Sequence, residues 1–208
     1  MIARLYHAVQ SATVNDTSPK QRLLEAAIEY VSDNGISDVS LRTLAAALGT
    51  SHRMLIFHFG SKEQLWVEIV RTVEERQREA LRDILPDANR PIGDAMRAWW
   101  KHISDPKLWP NERLFFELYG QALQGRPHTV DLLDGIVEDW LEPAVAINLA
   151  LGVPEPLARA HARLGIAVTR GLLLDLLATR DVEADDDAMY SFIDVYEDWL
   201  TRHAAPPP

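Results

Sequence analysis

An all-α chain in two parts is what this sequence predicts, and three observations predict it. Apolar residues recur at helical spacing along most of the length, with proline or glycine at the breaks. No segment alternates with the period of a strand. Residues 40–64, SLRTLAAALGTSHRMLIFHFGSKEQ, fold two very short helices around one glycine. The expected architecture is a three-helix N-terminal helix-turn-helix domain followed by a C-terminal helical bundle, about nine helices in all, with domains at 18–66 and 67–208.

Residues 1–17 carry no sustained periodicity and read as a disordered arm. At SPKQ the signals sharpen: Ser18 caps, Pro19 suits the first helical position, and Gln21 completes a capping box. Leu24, Ala27, Ile28 and Val31 then form one buried stripe, closed by Asn34-Gly35. Ser40 caps a second helix of about two turns that ends at Gly49, and Ser51 caps a third with Leu55 and Phe59 on its inner side. Ser61 and Gln64 form another capping box, opening a long connector that runs to about Leu85, before Pro86. Beyond it, helices are expected at about 91–103, 110–124, 127–151, 155–179 and 185–203. Pro143 should kink or split the third of these, since it lacks a backbone donor and crowds the preceding turn.

Composition narrows the function classes. With 47% hydrophobic and 25% charged residues the chain has ordinary globular usage, and no apolar run approaches the roughly 18 residues of a membrane span, so a cytoplasmic protein with no membrane contact is expected. The absence of Cys removes disulfides, thiolate metal sites and cysteine nucleophiles together. Glycine-rich phosphate loops, HExxH and GxSxG are missing, and the seven His are scattered without metal-ligand spacing; no catalytic residue, metal or cofactor is expected. The net charge of −10 is segregated. Residues 1–66 hold six basic and six acidic groups, so all of the excess lies in the remainder and the N-terminal unit is free to present a basic face to nucleic acid.

Helices as short as those at 41–48 and 52–59 bury too little surface to stand alone, and make sense as a device that presents the second of them. In a helix-turn-helix, the first residues of that second helix enter the major groove. Here they are Thr50, Ser51, His52 and Arg53. Arg can pair bidentately with guanine, and His and Ser can donate to base edges or phosphates.

Residues 19–66 resemble the DNA-binding domain of the TetR family of transcriptional repressors, whose pattern is a capped first helix, Asn-Gly, a small-residue helix ending in Gly, and lYxHFxSKExL; this chain reads LIFHFGSKEQL at 55–65. The resemblance implies phosphate contacts at Ser40, Arg42, Ser51, His58 and Lys62, base contacts at His52 and Arg53 beside Thr50, and backbone or minor-groove contacts from Lys20 and Arg22. Ser40 and Ser51 would cap their helices with or without DNA. Lys62 is different: a cation at a helix N-terminus opposes the helix dipole, so an external anion explains it better than local stability does. Two positions depart from the pattern. Ile56 stands where the family's phosphate-binding Tyr is usual, followed by Phe57, an aromatic with no hydroxyl, and Thr50 replaces a small apolar residue.

The resemblance further implies an effector pocket in the larger domain, where Trp99, Trp100, Trp109, Phe115, Phe116, Tyr119 and Trp140 concentrate. Candidate lining residues are Met96, Trp99, Trp100, Phe116, Tyr119 and Trp140, with Tyr119, His102 and Asn148 as polar anchors, and the expected effector is apolar or aromatic. The last two helices, the first of them apolar nearly all round from Leu172 to Ala178, are implied to form a homodimer interface through Leu164, Val168, Leu172, Phe192, Tyr196 and Trp199. The function implied is a repressor that leaves an inverted-repeat operator in double-stranded DNA when a small molecule binds. The alternative is a helical ligand- or protein-binding adaptor that has lost DNA binding.

Overall fold

A computed structural model of the chain describes residues 18–35, 39–84 and 91–204, and among them every regular element is helical. The expected arm at 1–17 lies outside the described residues. Nine α-helices are described: α1 (Pro19–Asn34), α2 (Leu41–Ala47), α3 (His52–Phe59), α4 (Lys62–Ile84), α5 (Ile92–Ile103), α6 (Trp109–Leu123), α7 (Glu138–Ala150), α8 (Glu155–Thr179) and α9 (Val182–His203), with a 3₁₀ turn at Val130–Leu133 between α6 and α7. None is long and apolar enough to cross a membrane.

The cap chemistry works as the sequence implies. Ser18, Ser40, Ser51 and Ser61 each accept a hydrogen bond from the backbone N–H three residues on, at 3.1–3.2 Å, which satisfies a donor that the first turn would otherwise orphan. The reciprocal half of the first capping box is not made; the Gln21 amide turns to Glu25 instead. Gly49, between α2 and α3, takes φ +63°, a left-handed conformation that a side chain would strain.

Two segments differ from the sequence reading. The helix expected at 127–151 is a 3₁₀ turn followed by a reversal at Gly135, φ +78°, and α7 begins only at Glu138. Pro143 therefore falls in the second turn of α7, where its missing donor affects one carbonyl near the helix start, and the helix continues through it. The last helix starts earlier than expected, at Val182, because Asp181 accepts from the Ala184 N–H at 3.2 Å and caps it.

Packing joins the two parts more closely than their sequence boundary implies. Leu24, Ile28 and Val31 of α1, Leu44 of α2, Leu55 and Phe59 of α3 and Leu65, Trp66 and Ile69 of α4 share one core with Leu114, Phe115 and Leu118 of α6 and with Leu132 and Ile136 beyond it. Burying each such Leu, Ile or Phe is worth about 1.5–3 kcal/mol. A second cluster joins α7, α8 and α9 through Leu141, Val145, Ala158, Ala162 and Leu200, and a third joins α5, α8 and α9 through Trp100, Ile103, Leu173, Met189 and Ile193. Space is left where the three clusters meet.

One face of α8 is apolar yet uncovered. Leu157, Ala160, Leu164, Ala167, Gly171, Leu174 and Ala178 are all exposed and recur at alternating intervals of three and four, with Leu164 at 47% and Leu174 at 54% exposure. Ala184, Ala188, Ser191 and Val195 run along the exposed side of α9.

Candidate functional site

The first candidate surface is built by α2 and α3. Residues 40–61 contain no acidic residue, so Arg42, His52 and Arg53 stand in a locally positive stretch of an acidic chain. Leu55 and Phe59 anchor α3 inward, and Ser51, His52, Arg53, Met54, Ile56 and Phe57 are consequently exposed. Phe57 is 76% exposed, an apolar ring held in water beside the exposed Met54 and Ile56. Ser40, Arg42 and Arg22 are exposed beside it, and Thr50 is half-buried in the turn.

Three of the expected contact residues have other neighbours. Lys20 Nζ lies 2.7 Å from Glu68 Oε1 and 5.5 Å from the Phe59 ring centre, so it stitches α1 to α4. Lys62 lies over the Trp66 ring, 6.0 Å from its centre, which steadies a cation at the start of α4. His58 packs edge-on against Phe57, and its buried Nε2 has no hydrogen-bond partner.

The second candidate site is a cavity of about 180 Å³ at the junction of the three clusters, walled by α4 through α9. One water needs roughly 10–15 Å³ on this measure, so a small organic molecule fits. Of the residues expected at a ligand site, Met96, Trp99, Phe116 and Trp140 line it. Trp100 and Tyr119 do not. Trp100 is fully buried against α9, where it donates its Nε1–H to Asp186 at 2.7 Å, and Tyr119 packs on Phe115 and Arg170. Of the suggested anchors, Asn148 lines the cavity and accepts from the Tyr196 hydroxyl at 2.7 Å, while His102 is exposed with Nε2 2.9 Å from Gln77 Oε1.

Sequence reasoning missed the polar part of the wall. Glu74 and Gln77 of α4, Glu112 of α6 and Arg170 of α8 all face the cavity. Glu74 accepts from Trp140 Nε1 at 2.7 Å. Burial pushes the Glu74 carboxyl above its ordinary range against the pull of that bond and of Arg170 and Arg78. Glu112 is 6% exposed, and burial, with the Glu74 charge added, pushes it to about 8. Its signal was present: Glu112 precedes Phe115 and Phe116 by three and four residues, so all three share the inward face of α6.

The residues expected at a dimer interface divide. Phe192 and Tyr196 form cavity wall, and Tyr196 is 7% exposed with its hydroxyl pushed up to about 12 by burial. Val168 and Leu172 are half-buried against the α5–α9 cluster, and Trp199 stacks on His161. Leu164 alone of the six is exposed. Among the described residues no group of three or more His, Asp or Glu is arranged to hold a metal ion.

Residues 23–69 match the family described as bacterial regulatory proteins, tetR family. No curated protein matches the chain by sequence. Solved structures do match. A transcriptional regulator from Rhodococcus sp. Rha1 has a TM-score of 0.72 at 18% identity, over 91% of this chain and 100% of its own. A TetR transcriptional regulator from Legionella pneumophila has 0.68 at 18% identity, over 88% and 99%. A transcriptional regulator from Saccharomonospora viridis, solved in complex with choline, has 0.62 at 18% identity, over 86% and 95%. At this identity the likeness establishes the fold.

Proposed function

From the premise that this chain belongs through residues 23–69 to the tetR family of bacterial regulatory proteins, we propose that it is a cytoplasmic homodimeric repressor that binds an inverted-repeat operator and releases it when a small molecule enters the cavity. The reading is carried by one arrangement: the helices that wall the cavity also hold the DNA-facing unit. Glu74 and Gln77 belong to α4, which begins directly after α3, and Glu112 follows Asn111, whose side-chain N–H donates to Ser32 Oγ of α1 at 3.0 Å. A ligand that spreads α4 from α6 therefore tilts α1 and α3 with them. It weakens DNA binding only by the difference in its affinity for the two arrangements, with about 1–3 kcal/mol typical. That the Saccharomonospora viridis regulator was solved with choline supports a small-molecule role for such a bundle.

In this reading Arg53 and His52 meet base edges, and Ser40, Arg42, Ser51, His58 and Lys62 meet phosphates. Phe57 gains apolar contact with a sugar or thymine methyl, in place of the hydroxyl that Ile56 cannot supply. The exposed Leu, Ala and Gly stripe of α8 supports the dimer. Its three-four spacing is that of a coiled-coil seam, and its small residues let two copies approach closely. Two α3 helices about 34–36 Å apart would then enter successive major grooves.

Selection of bound sequences from a random DNA library at two salt concentrations tests this. The expected result is an enriched inverted repeat whose affinity falls steeply with salt, with Lys62→Ala weakening all sequences alike and Arg53→Ala relaxing one base position at a cost of about 1–3 kcal/mol. No enrichment by a dimeric protein would favour the adaptor reading.

A further inference from the structure

The acidic and basic groups that line the cavity are unequal in number. Among the described residues two carboxyl groups face it, Glu74 and Glu112, and Arg170 is the sole Lys or Arg in its lining. That guanidinium is committed: it donates to the Ile136 carbonyl and lies 5.4 and 5.7 Å from the ring centres of Phe115 and Tyr119. Glu74 holds the Trp140 N–H and lies in the fields of Arg170 and of Arg78, which itself lies over the Trp140 ring. Glu112 is left with a hydrogen bond to Gln77 and the like charge of Glu74, and Arg170 is the weakest of the influences on it. Among the described residues no other element lines the cavity with a Lys or Arg. From α8, burial and the charge of His203 hold His161 below its ordinary range; from α5, burial does the same to His102; and from α9, Tyr196 is neutral. Around this surplus carboxyl stand Trp99, Phe116 and Trp140, with the two indole rings 5.8 Å apart. Aromatic faces attract cations, most strongly where water is excluded.

We propose that the cavity takes a compact organic monocation, an ammonium or amidinium on an apolar or aromatic body, with its charge against the Glu112 carboxylate and its body among Trp99, Phe116 and Trp140. The inference rests on the cavity being the effector site. In the empty cavity Glu112 keeps its proton up to a pH of about 8. Entry of the cation exchanges that proton for the ligand's charge: the carboxyl O–H breaks, the proton passes to solvent, and an ion pair remains. Below pH 8 binding therefore releases about one proton, and affinity rises by up to about tenfold per pH unit before levelling off.

The test is calorimetric titration of the full chain with benzyltrimethylammonium, with its uncharged carbon isostere neopentylbenzene, and with phenylacetate, from pH 6.5 to 9 in buffers of different ionisation enthalpy. The expected result is a preference of tenfold or more for the cation over the isostere at pH 8.5. Proton release should accompany the cation alone, and Glu112→Gln should bring the preference near one while the variant still melts cooperatively. Equal or tighter binding of the isostere or of phenylacetate overturns the inference but leaves the cavity as an effector site. So does a cation preference that survives in Glu112→Gln. Binding of none of the three overturns the effector-site reading itself, and this inference with it.

Discussion

Glu112 shows what one side chain can do to a whole stability profile. Its carboxyl stays protonated to a pH of about 8 in the folded chain, whereas the unfolded chain ionises it near 4.5. The unfolded state thus loses a proton that the folded state keeps. The contribution is fully present below pH 4.5 and disappears as pH rises through 8. Glutamine has the same shape and nothing to titrate. Glu112→Gln is expected to match the parent near pH 4.5 and to exceed it by at least about 1 kcal/mol at pH 8.5, roughly 2–4 °C in melting temperature for a chain of this size. Melting curves across that range check it, and parallel profiles would mean that Glu112 ionises normally. At this scale the sequence was legible where a side chain acts on its own helix: Ser18, Ser40, Ser51 and Ser61 all cap as read. It was less so where neighbours come from distant helices. Nothing local distinguishes Lys20, bound to Glu68 forty-eight residues away, from a lysine aimed at phosphate.

Among the elements, α8 explains why most of the residues expected at a dimer interface turn inward in the single chain. A helix that is apolar nearly all round gives no direction to its burial. The sequence pattern cannot say which apolar face meets a cavity, which meets a neighbour, and which is left bare. Packing decides: α8 turns Ile166 and Leu173 to the cavity and leaves Leu157, Leu164 and Leu174 exposed. A glutamate in the middle of that exposed stripe would bury a charge in any two-copy seam formed there. Leu164→Glu is therefore expected to yield monomers in sedimentation at micromolar concentration, with the melting temperature unchanged to within about 2 °C, because the side chain faces solvent in the single chain. A dimer that persists would place the interface elsewhere. The break between the 3₁₀ turn and α7 escaped the sequence reading for a related reason. Gly135 ends one element and nothing strongly caps the next, so the apolar period runs across the junction.

At the scale of the molecule, the boundary drawn at residue 66 follows the change in sequence pattern and crosses a continuous core. Leu114, Phe115, Leu118 and Ile136 belong to the larger part by sequence and pack with α1 to α4 in space. A unit of 67 residues, 18–84, would lose that cover and expose the apolar faces of α1 and α4. It is expected to show little cooperative melting by circular dichroism, whereas residues 18–136 restore the missing contacts. A sharp transition in the shorter fragment would make the N-terminal unit self-sufficient. The helices themselves were legible because their periods and caps are local. This joint was not, because it pairs residues some ninety positions apart.

The shared core also has a consequence for the order of events during synthesis. The chain leaves the ribosome N-terminus first, so α3 emerges long before the residues that complete its support. A nascent chain that has not yet delivered Ile136 carries the DNA-reading side chains on an unfinished scaffold. Products of translation aborted before that point would therefore lack the apolar cover that holds α2 and α3 in place.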